Sequence, residues 1–298
     1  MKKLVATLAL VVAAPFGAAM AADMPVKAVP LAPPCAANDI VRANNLVAAD
    51  AVQEWSRYWE VTSFAPVPFL FDQEVGTSVL GAGVHGAVMG DWLGMCHLYV
   101  YGEYWQVQGS TSYFSPGPGI LVNQDGDKVY HGDMRVGKGF DWGSNAMITP
   151  YIGFGAHEWN RNLVGPGGYN EDYRHEYVGA GVLFQYIFTP RVVFGWWGLA
   201  GTTVNPHMTT SLNGGAPINP YTYTLGTAPI YMLGFSLDYA FAPHWHAIAS
   251  VEGTKYQYLQ SAPSPIDGSL EPTSQTYQAV FKLGIGYSWW DDVVVARY

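Results

Sequence analysis

Side chains able to do chemistry recur at every second position in one stretch of this 298-residue chain. His131, Asp133 and Arg135 are spaced by two, so on a β-strand all three lie on the same face. An imidazole beside a carboxylate can move a proton or activate a nucleophile, and a guanidinium can hold an anion. Four more charged residues stand among small or apolar neighbours: Glu103, Asp238, Glu252 and Lys282. These seven side chains are the candidates for chemistry, and the elements that carry them decide where they meet.

The segment that carries Lys282 alternates with a period of two over residues 277–289. One face is apolar and has aromatic residues at both ends: Tyr277, Ala279, Phe281, Leu283, Ile285, Tyr287 and Trp289. The other face is polar or small apart from Val280: Gln278, Lys282, Gly284, Gly286 and Ser288. Apolar residues toward lipid, small or polar residues toward an interior and aromatics at the two interfaces are typical of a transmembrane β-barrel strand.

Composition supports a secreted membrane barrel. Residues 1–21 have two lysines, an apolar run and an Ala-Met-Ala end, which predict a cleaved signal peptide. Its removal takes the net charge from −9 to −11, so we expect no nucleic-acid partner. Charged residues make up 12% of the chain against about 25% in soluble domains. No later apolar run approaches the roughly 20 residues of a spanning helix, which leaves the closed barrel as the membrane structure that fits.

Candidate strands come in pairs joined by tight links. Nine are predicted, at 78–89, 96–108, 129–140, 146–159, 173–188, 192–203, 230–241, 245–258 and 277–289. Long segments rich in Gly and Pro separate the pairs at 109–128, 160–172, 204–229 and 260–275, the asymmetry of turns and loops in outer-membrane barrels. An even strand number needs one more strand, which we place at about 55–64 after a short helix. We therefore predict an all-β, antiparallel up-and-down barrel of about ten strands, with eight as the alternative. An extracellular sandwich would not explain lipid-type faces on so many strands.

The predicted domain plan follows from these segments. Residues 1–21 are the signal peptide, 22–50 a Pro- and Ala-rich periplasmic leader, 51–290 the barrel and 291–298 a short tail. A final strand at 293–298 is the alternative to the tail, but six residues are short against the roughly 9–11 that a spanning strand needs. Cys35 in the leader and Cys96 at the start of a strand would lie on the same oxidising side, so we predict a disulfide between them. Two unpaired thiols are the alternative.

Two motifs carry a resemblance to a known group. The run Ala-Asp-Met-Pro-Val-Lys-Ala at 22–28 resembles the mature start of small outer-membrane proteins of alpha-proteobacteria, the Omp25/Omp31-like group. That resemblance implies monomeric surface barrels of about eight strands in the bacterial outer membrane. The spacing of Lys282, Gly284, Tyr287 and Trp289 is similar to the insertion signal of outer-membrane barrels, which implies recognition by the barrel assembly machinery.

The polar faces, turned inward, would place the seven candidates in the lumen together with His85 and His157. The first reading is a packed, ion-paired lumen in a structural or surface-exposed barrel, and the second is a narrow porin-like channel. A hydrolase acting through His131 with Asp133, or through His244 with His246, is another alternative, as is a loop-mediated surface-recognition protein. We expect no enzyme activity and no cofactor. We also expect no metal, because the sequence has no third ligand at a spacing typical of a metal site. Outer-membrane lipid and lipopolysaccharide are the expected surroundings.

Overall fold

Ten strands close into one antiparallel barrel. The computed structural model describes residues 39–62, 70–75, 79–114, 121–123, 127–164, 168–211 and 220–289. A short helix, α1 (Asp39–Ala43), precedes the sheet. The barrel strands are β1 (Leu46–Thr62), β3 (Val79–Trp92), β4 (Met95–Gly109), β7 (Asp127–Lys138), β9 (Ala146–Asn162), β10 (Asn170–Thr189), β11 (Val192–Ser211), β13 (Pro229–Ala240), β14 (Trp245–Tyr258) and β15 (Ser274–Ser288). Shorter strands extend the sheet: β2 (Leu70–Val75), β5 (Ser112–Phe114), β6 (Leu121–Asn123), β8 (Phe140–Trp142) and β12 (Tyr221–Thr224).

Neighbours in sequence pair throughout, and β15 returns to pair with β1 from Leu46↔Ser288 to Glu60↔Ser274. This pairing leaves no free edge among the ten barrel strands, which is how a sheet becomes stable in lipid. The predicted ten-stranded barrel is confirmed, and the eight-stranded alternative is wrong. No helix of the described residues is long and apolar enough to cross a membrane.

The alternating faces of β15 fix which side of the sheet is inside. Phe281, Leu283 and Ile285 are 50%, 67% and 53% exposed, whereas Val280 and Lys282 on the opposite face are buried. β13 repeats the pattern along its length. Because successive side chains point to opposite faces, the buried set lines the interior and the exposed set forms an apolar outer belt.

The first strand begins earlier than the sequence predicts. We placed it at about 55–64 and the end of the leader at residue 50, whereas β1 starts at Leu46. Alanines at 48, 49 and 51 favour strands weakly and hide the alternation around Asp50. Pairing with β15 on one side and with β3 on the other stabilises the strand where its own residues favour it only weakly. The signal peptide, most of the leader and the tail lie outside the described residues.

All four predicted loops are partly strand, and two of them show how far the barrel wall extends. β10 begins at Asn170 and β11 ends at Ser211, inside the segments 160–172 and 204–229. The outward faces turn polar from Val178 back to Asn170 on β10 and from Val204 on to Ser211 on β11. About seven residues of each strand, or about 23 Å, therefore continue past the apolar belt. An outward row crosses five strands here: Lys128, Asn160, Asp172, Thr209 and Thr222. The barrel wall therefore rises well beyond the belt on the side of the long loops, called the loop end below.

The opposite, or turn, end has short connections. Between β3 and β4, Leu93 and Gly94 have φ angles of 53° and 73°. Positive φ at both central residues is the requirement of the two-residue hairpin whose twist matches the strands. The sequence predicted a turn at residues 90–94, and the structure narrows it to these two residues.

Candidate functional site: a charged and aromatic interior

The barrel interior holds all seven candidate side chains. The residues Glu103, His131, Asp133, Arg135, Asp238, Glu252 and Lys282 are each no more than 9% exposed. They come from β4, β7, β13, β14 and β15, so closure of the sheet brings together residues far apart in sequence. Buried charges are tolerated where they are paired and hydrogen-bonded, so their partners decide what the site can do.

Lys282 is at the centre of one cluster. Its Nζ donates to Glu103 Oε2 at 2.7 Å and lies 3.4 Å from Glu252 Oε2. The Tyr101 hydroxyl donates to the same Glu103 oxygen at 2.7 Å. His131 Nε2 lies 3.9 Å from Glu103 Oε1. Three strands thus contribute two carboxylates and one ammonium to a single ion-paired centre.

Asp133 pairs with Arg135, whereas the nearest acidic partner of His131 is Glu103. Arg135 Nε donates to Asp133 Oδ2 at 2.5 Å, and its guanidinium stands 3.6 Å from the ring centroid of Trp197. A guanidinium both paired and stacked on an aromatic face is held firmly. Asp133 therefore does not orient His131, as a hydrolase built on that pair would require.

Two His–Asp pairs lie nearer the turn end. His246 Nδ1 is 2.7 Å from Asp238 Oδ1, and His85 Nδ1 is 2.7 Å from Asp50 Oδ2. His246 is fully buried, whereas His244 lies in the turn before β14, with its ring 5.6 Å from that of Tyr287. Asp50 was missed because it was assigned to the leader; it shares the buried face of β1 with Ala48 and Val52.

Three histidines form a row across adjacent strands. His131, His157 and His175 are direct neighbours in the register of β7, β9 and β10. His175 Nδ1 and the Tyr258 hydroxyl are 2.7 Å apart, and His157 Nε2 and the Tyr256 hydroxyl are 3.2 Å apart.

Large side chains fill the interior around this row. Trp105 stacks on His131 at a centroid distance of 5.1 Å, and Tyr177 lies at 6.0 Å from the same ring. Trp105, Tyr177, Tyr256 and Tyr258 are all no more than 2% exposed. Side chains of this size, buried this deeply, fill much of the lumen that the described residues enclose at this level.

The loop end is closed by a second layer. Arg161 Nη1 donates to Glu171 Oε2 at 2.6 Å, and its guanidinium stands 4.7 Å from the rings of both Tyr58 and Trp159. The segment between β14 and β15 folds over this layer, since its buried Glu271 accepts a 2.5 Å hydrogen bond from Tyr173 inside the barrel. Sequence reasoning missed the charged residues of this layer, Arg161, Glu171 and Glu271, because it assigned them to loops.

The helix α1 and the residues after it cover part of the turn end. Asn44 donates to Gln185 Oε1 at 2.7 Å, and Asn45 donates to the Met89 carbonyl at 2.7 Å. Ile40 and Val41 of the helix are buried. A cavity of about 100 Å³ remains between α1 and the charged centre, with Arg135 and Asp238 in its lining.

The remaining sequence-derived residues lie on β15 and near the β3–β4 turn. Lys282 and Gly284 point inward, while Tyr287 and Trp289 are 42% and 47% exposed. A Cβ added at Gly284 would overlap the Asp50 carboxylate, so this glycine lets β1 and β15 pack around a buried acid. No cysteine among the described residues is free, and Cys35 lies outside them, so the Cys35–Cys96 bridge stays a prediction.

No protein-family model and no curated protein sequence matches this chain. Among solved structures, the outer membrane protease OmpT of Escherichia coli aligns with a TM-score of 0.56 at 9% identity, covering 83% of this chain and 97% of OmpT. Ail, the attachment invasion locus protein of Yersinia pestis, gives 0.32 at 13% identity, covering 82% and 98%. The toluene transporter TodX of Pseudomonas putida gives 0.31 at 9%, covering 84% and 91%. Only the OmpT likeness is close enough to support a statement, and at that identity it concerns the fold: the chain has the fold of an outer-membrane β-barrel.

Proposed function

We propose that this protein is a closed outer-membrane β-barrel with a structural and surface-exposed role, exported through cleavage of residues 1–21. The observation that carries the proposal is the filled interior. Trp105, Tyr177 and Tyr256 occupy the lumen at the histidine row, with Arg161 above them and α1 below. A porin needs a continuous water-filled lumen, which this packing opposes.

The loop end supports the surface-exposed part of the proposal. Short turns lie on the periplasmic side of such barrels and long loops on the outside, so we assign the loop end to the exterior. The walls of β9, β10 and β11 then stand outside the bilayer with a polar outer face. An extended rigid wall can present loops to a partner, which makes surface recognition the second candidate.

A hydrolase fits less well. The titratable centre of Glu103, His131 and Glu252 is buried, and Trp105 and Tyr177 pack against its His131 ring. A peptide or a lipid ester would have to reach this centre for any of its groups to act on it. OmpT is a protease by its description, but similarity of fold does not transfer a reaction.

The surroundings follow from the same proposal. The apolar belt would contact outer-membrane lipid, and the polar wall above it would contact lipopolysaccharide. Insertion would proceed through the barrel assembly machinery, which would read the strand ending in Tyr287 and Trp289. Every barrel strand already has two neighbours, so we propose a monomer.

Planar-bilayer recording tests the closed state. The mature chain, refolded in detergent and added to the bilayer, should show no conductance steps. A Trp105→Ala, Tyr256→Ala double variant removes two of the blocking rings and should conduct measurably if packing is what seals the lumen. A matched control, Trp245→Ala on the outward face, should stay silent. Stable channel activity of the wild-type chain would contradict the proposal and favour the narrow pore.

A further inference from the structure

The charged centre contains three potential metal ligands from three strands. One ligand atom each of Glu103, His131 and Glu252 lies within 4.8 Å of the others, and all three residues are buried. Within this set, His131 Nε2 and Glu103 Oε1 are 3.9 Å apart. Aromatic rings pack on the loop side of this centre, and on its turn side a cavity reaches Glu252 and Lys282.

Among the described residues, one oxygen of each carboxylate and both ring nitrogens of His131 have no hydrogen-bond partner. Lys282 and Tyr101 occupy Oε2 of Glu103, and Lys282 approaches Oε2 of Glu252, which leaves the two Oε1 atoms. The His131 ring is only 4% exposed. Buried acceptors left without donors are costly, so an additional species should sit among them.

We propose that Glu103, His131 and Glu252 bind one divalent transition-metal ion of the Zn²⁺ type. At a tetrahedral angle, an ion about 2.0–2.2 Å from an imidazole nitrogen and a carboxylate oxygen holds these two atoms about 3.4 Å apart, so the 3.9 Å pair would close by about 0.5 Å on binding. Mixed nitrogen and oxygen donors suit Zn²⁺ and its first-row neighbours better than Ca²⁺ or Mg²⁺. Three protein ligands leave a fourth position for water or hydroxide.

The charge of the centre is consistent with an added cation. Glu103, Glu252 and Asp133 carry three negative charges, and Lys282 and Arg135 carry two positive ones. All five are buried together, so one positive charge is missing. A divalent ion with one bound hydroxide supplies that charge. Because Lys282 contacts only the Oε2 atoms, the ammonium and the ion can occupy opposite sides of the carboxylates.

Metal content after controlled refolding tests the proposal. The mature chain is refolded with Zn²⁺, or with Co²⁺ as a visible-absorbing probe, and then washed with chelator while folded. We expect about one equivalent of metal to remain, because three buried protein ligands hold the ion, and to be released on unfolding. Refolding with chelator throughout should lower the temperature at which the barrel loses its heat-modifiable gel migration.

Two variants and a matched control locate the site. Glu252→Gln keeps size and His131→Ala removes the nitrogen ligand, and each should reduce retained metal at least about 10-fold. His157→Ala removes the neighbouring buried histidine outside the ligand set and should retain the wild-type amount. Gel migration checks that each variant is folded. Less than about 0.1 equivalent in the wild-type chain would overturn the proposal and leave a bound water as the occupant, as would equal retention in folded Glu252→Gln.

Discussion

Replacing Lys282 with methionine probes the ion-paired centre directly. The ammonium is 2.7 Å from Glu103 and 3.4 Å from Glu252, and all three groups are buried. At an effective dielectric constant of about 20, each contact corresponds to about 5 kcal/mol of attraction, most of which offsets desolvation. Removing the ammonium leaves two carboxylates facing each other in the interior. We expect the free energy of unfolding to fall by about 3–5 kcal/mol.

The assay is reversible urea unfolding of the mature chain in lipid vesicles with chelator present, followed by intrinsic tryptophan fluorescence. Lys128→Met removes an exposed lysine from the outer wall and should change stability by less than about 0.5 kcal/mol. Adding Glu103→Gln to Lys282→Met should recover part of the loss, because one of the two unpaired charges disappears. A loss below about 1 kcal/mol for Lys282→Met would refute the reasoning, since water would then have to reach the centre.

Three further predictions concern the rest of the barrel. Burial and the nearby Glu158 raise the pKa of Asp172 to about 6, so its ionisation destabilises the fold as pH rises from about 4 through 6. Asp172→Asn should therefore raise the free energy of unfolding by about 1 kcal/mol at pH 7, after allowance for the partial exposure of Asp172. Parallel urea titrations should show little change at pH 3.5. Gly284→Ala should cost about 1–3 kcal/mol in the same assay, and Asp50→Ala should partly rescue it because the overlap is removed. Tyr173→Phe loses the hydrogen bond that anchors the β14–β15 segment, so limited proteolysis there should be faster, with unchanged cleavage marking the bond as dispensable.

The period-two alternation was enough to predict the barrel and the inward side of β15. In residues 277–289 hydrophobic and polar positions alternate almost without exception, and lipid on one side enforces that separation. The same rule failed around Asp50, where alanines on both faces erase the contrast. It also failed after Thr203, where β11 continues to Ser211 with a polar outer face.

The composition of the charged centre could not be read from the sequence in the same way. Alternation placed Glu103, His131 and Glu252 inside, but only closure of the sheet brings β4, β7 and β14 to one point. Proximity in sequence suggested a pair of His131 with Asp133. The two share a face, yet they contact different partners. Partner choice depends on side-chain reach across the lumen, which periodicity does not encode.

The central claim is that the sheet closes on itself, with lipid against its outer face and packed side chains against its inner face. Its most direct test is a nitroxide scan of residues 279–286 in bilayers, on a chain whose native cysteines are replaced. The account predicts that access to oxygen dissolved in lipid alternates with a period of two, high at Phe281, Leu283 and Ile285. Inward positions should resist both oxygen and a water-soluble paramagnet. Free access of the water-soluble reagent to the inward positions, or the absence of alternation, would contradict it.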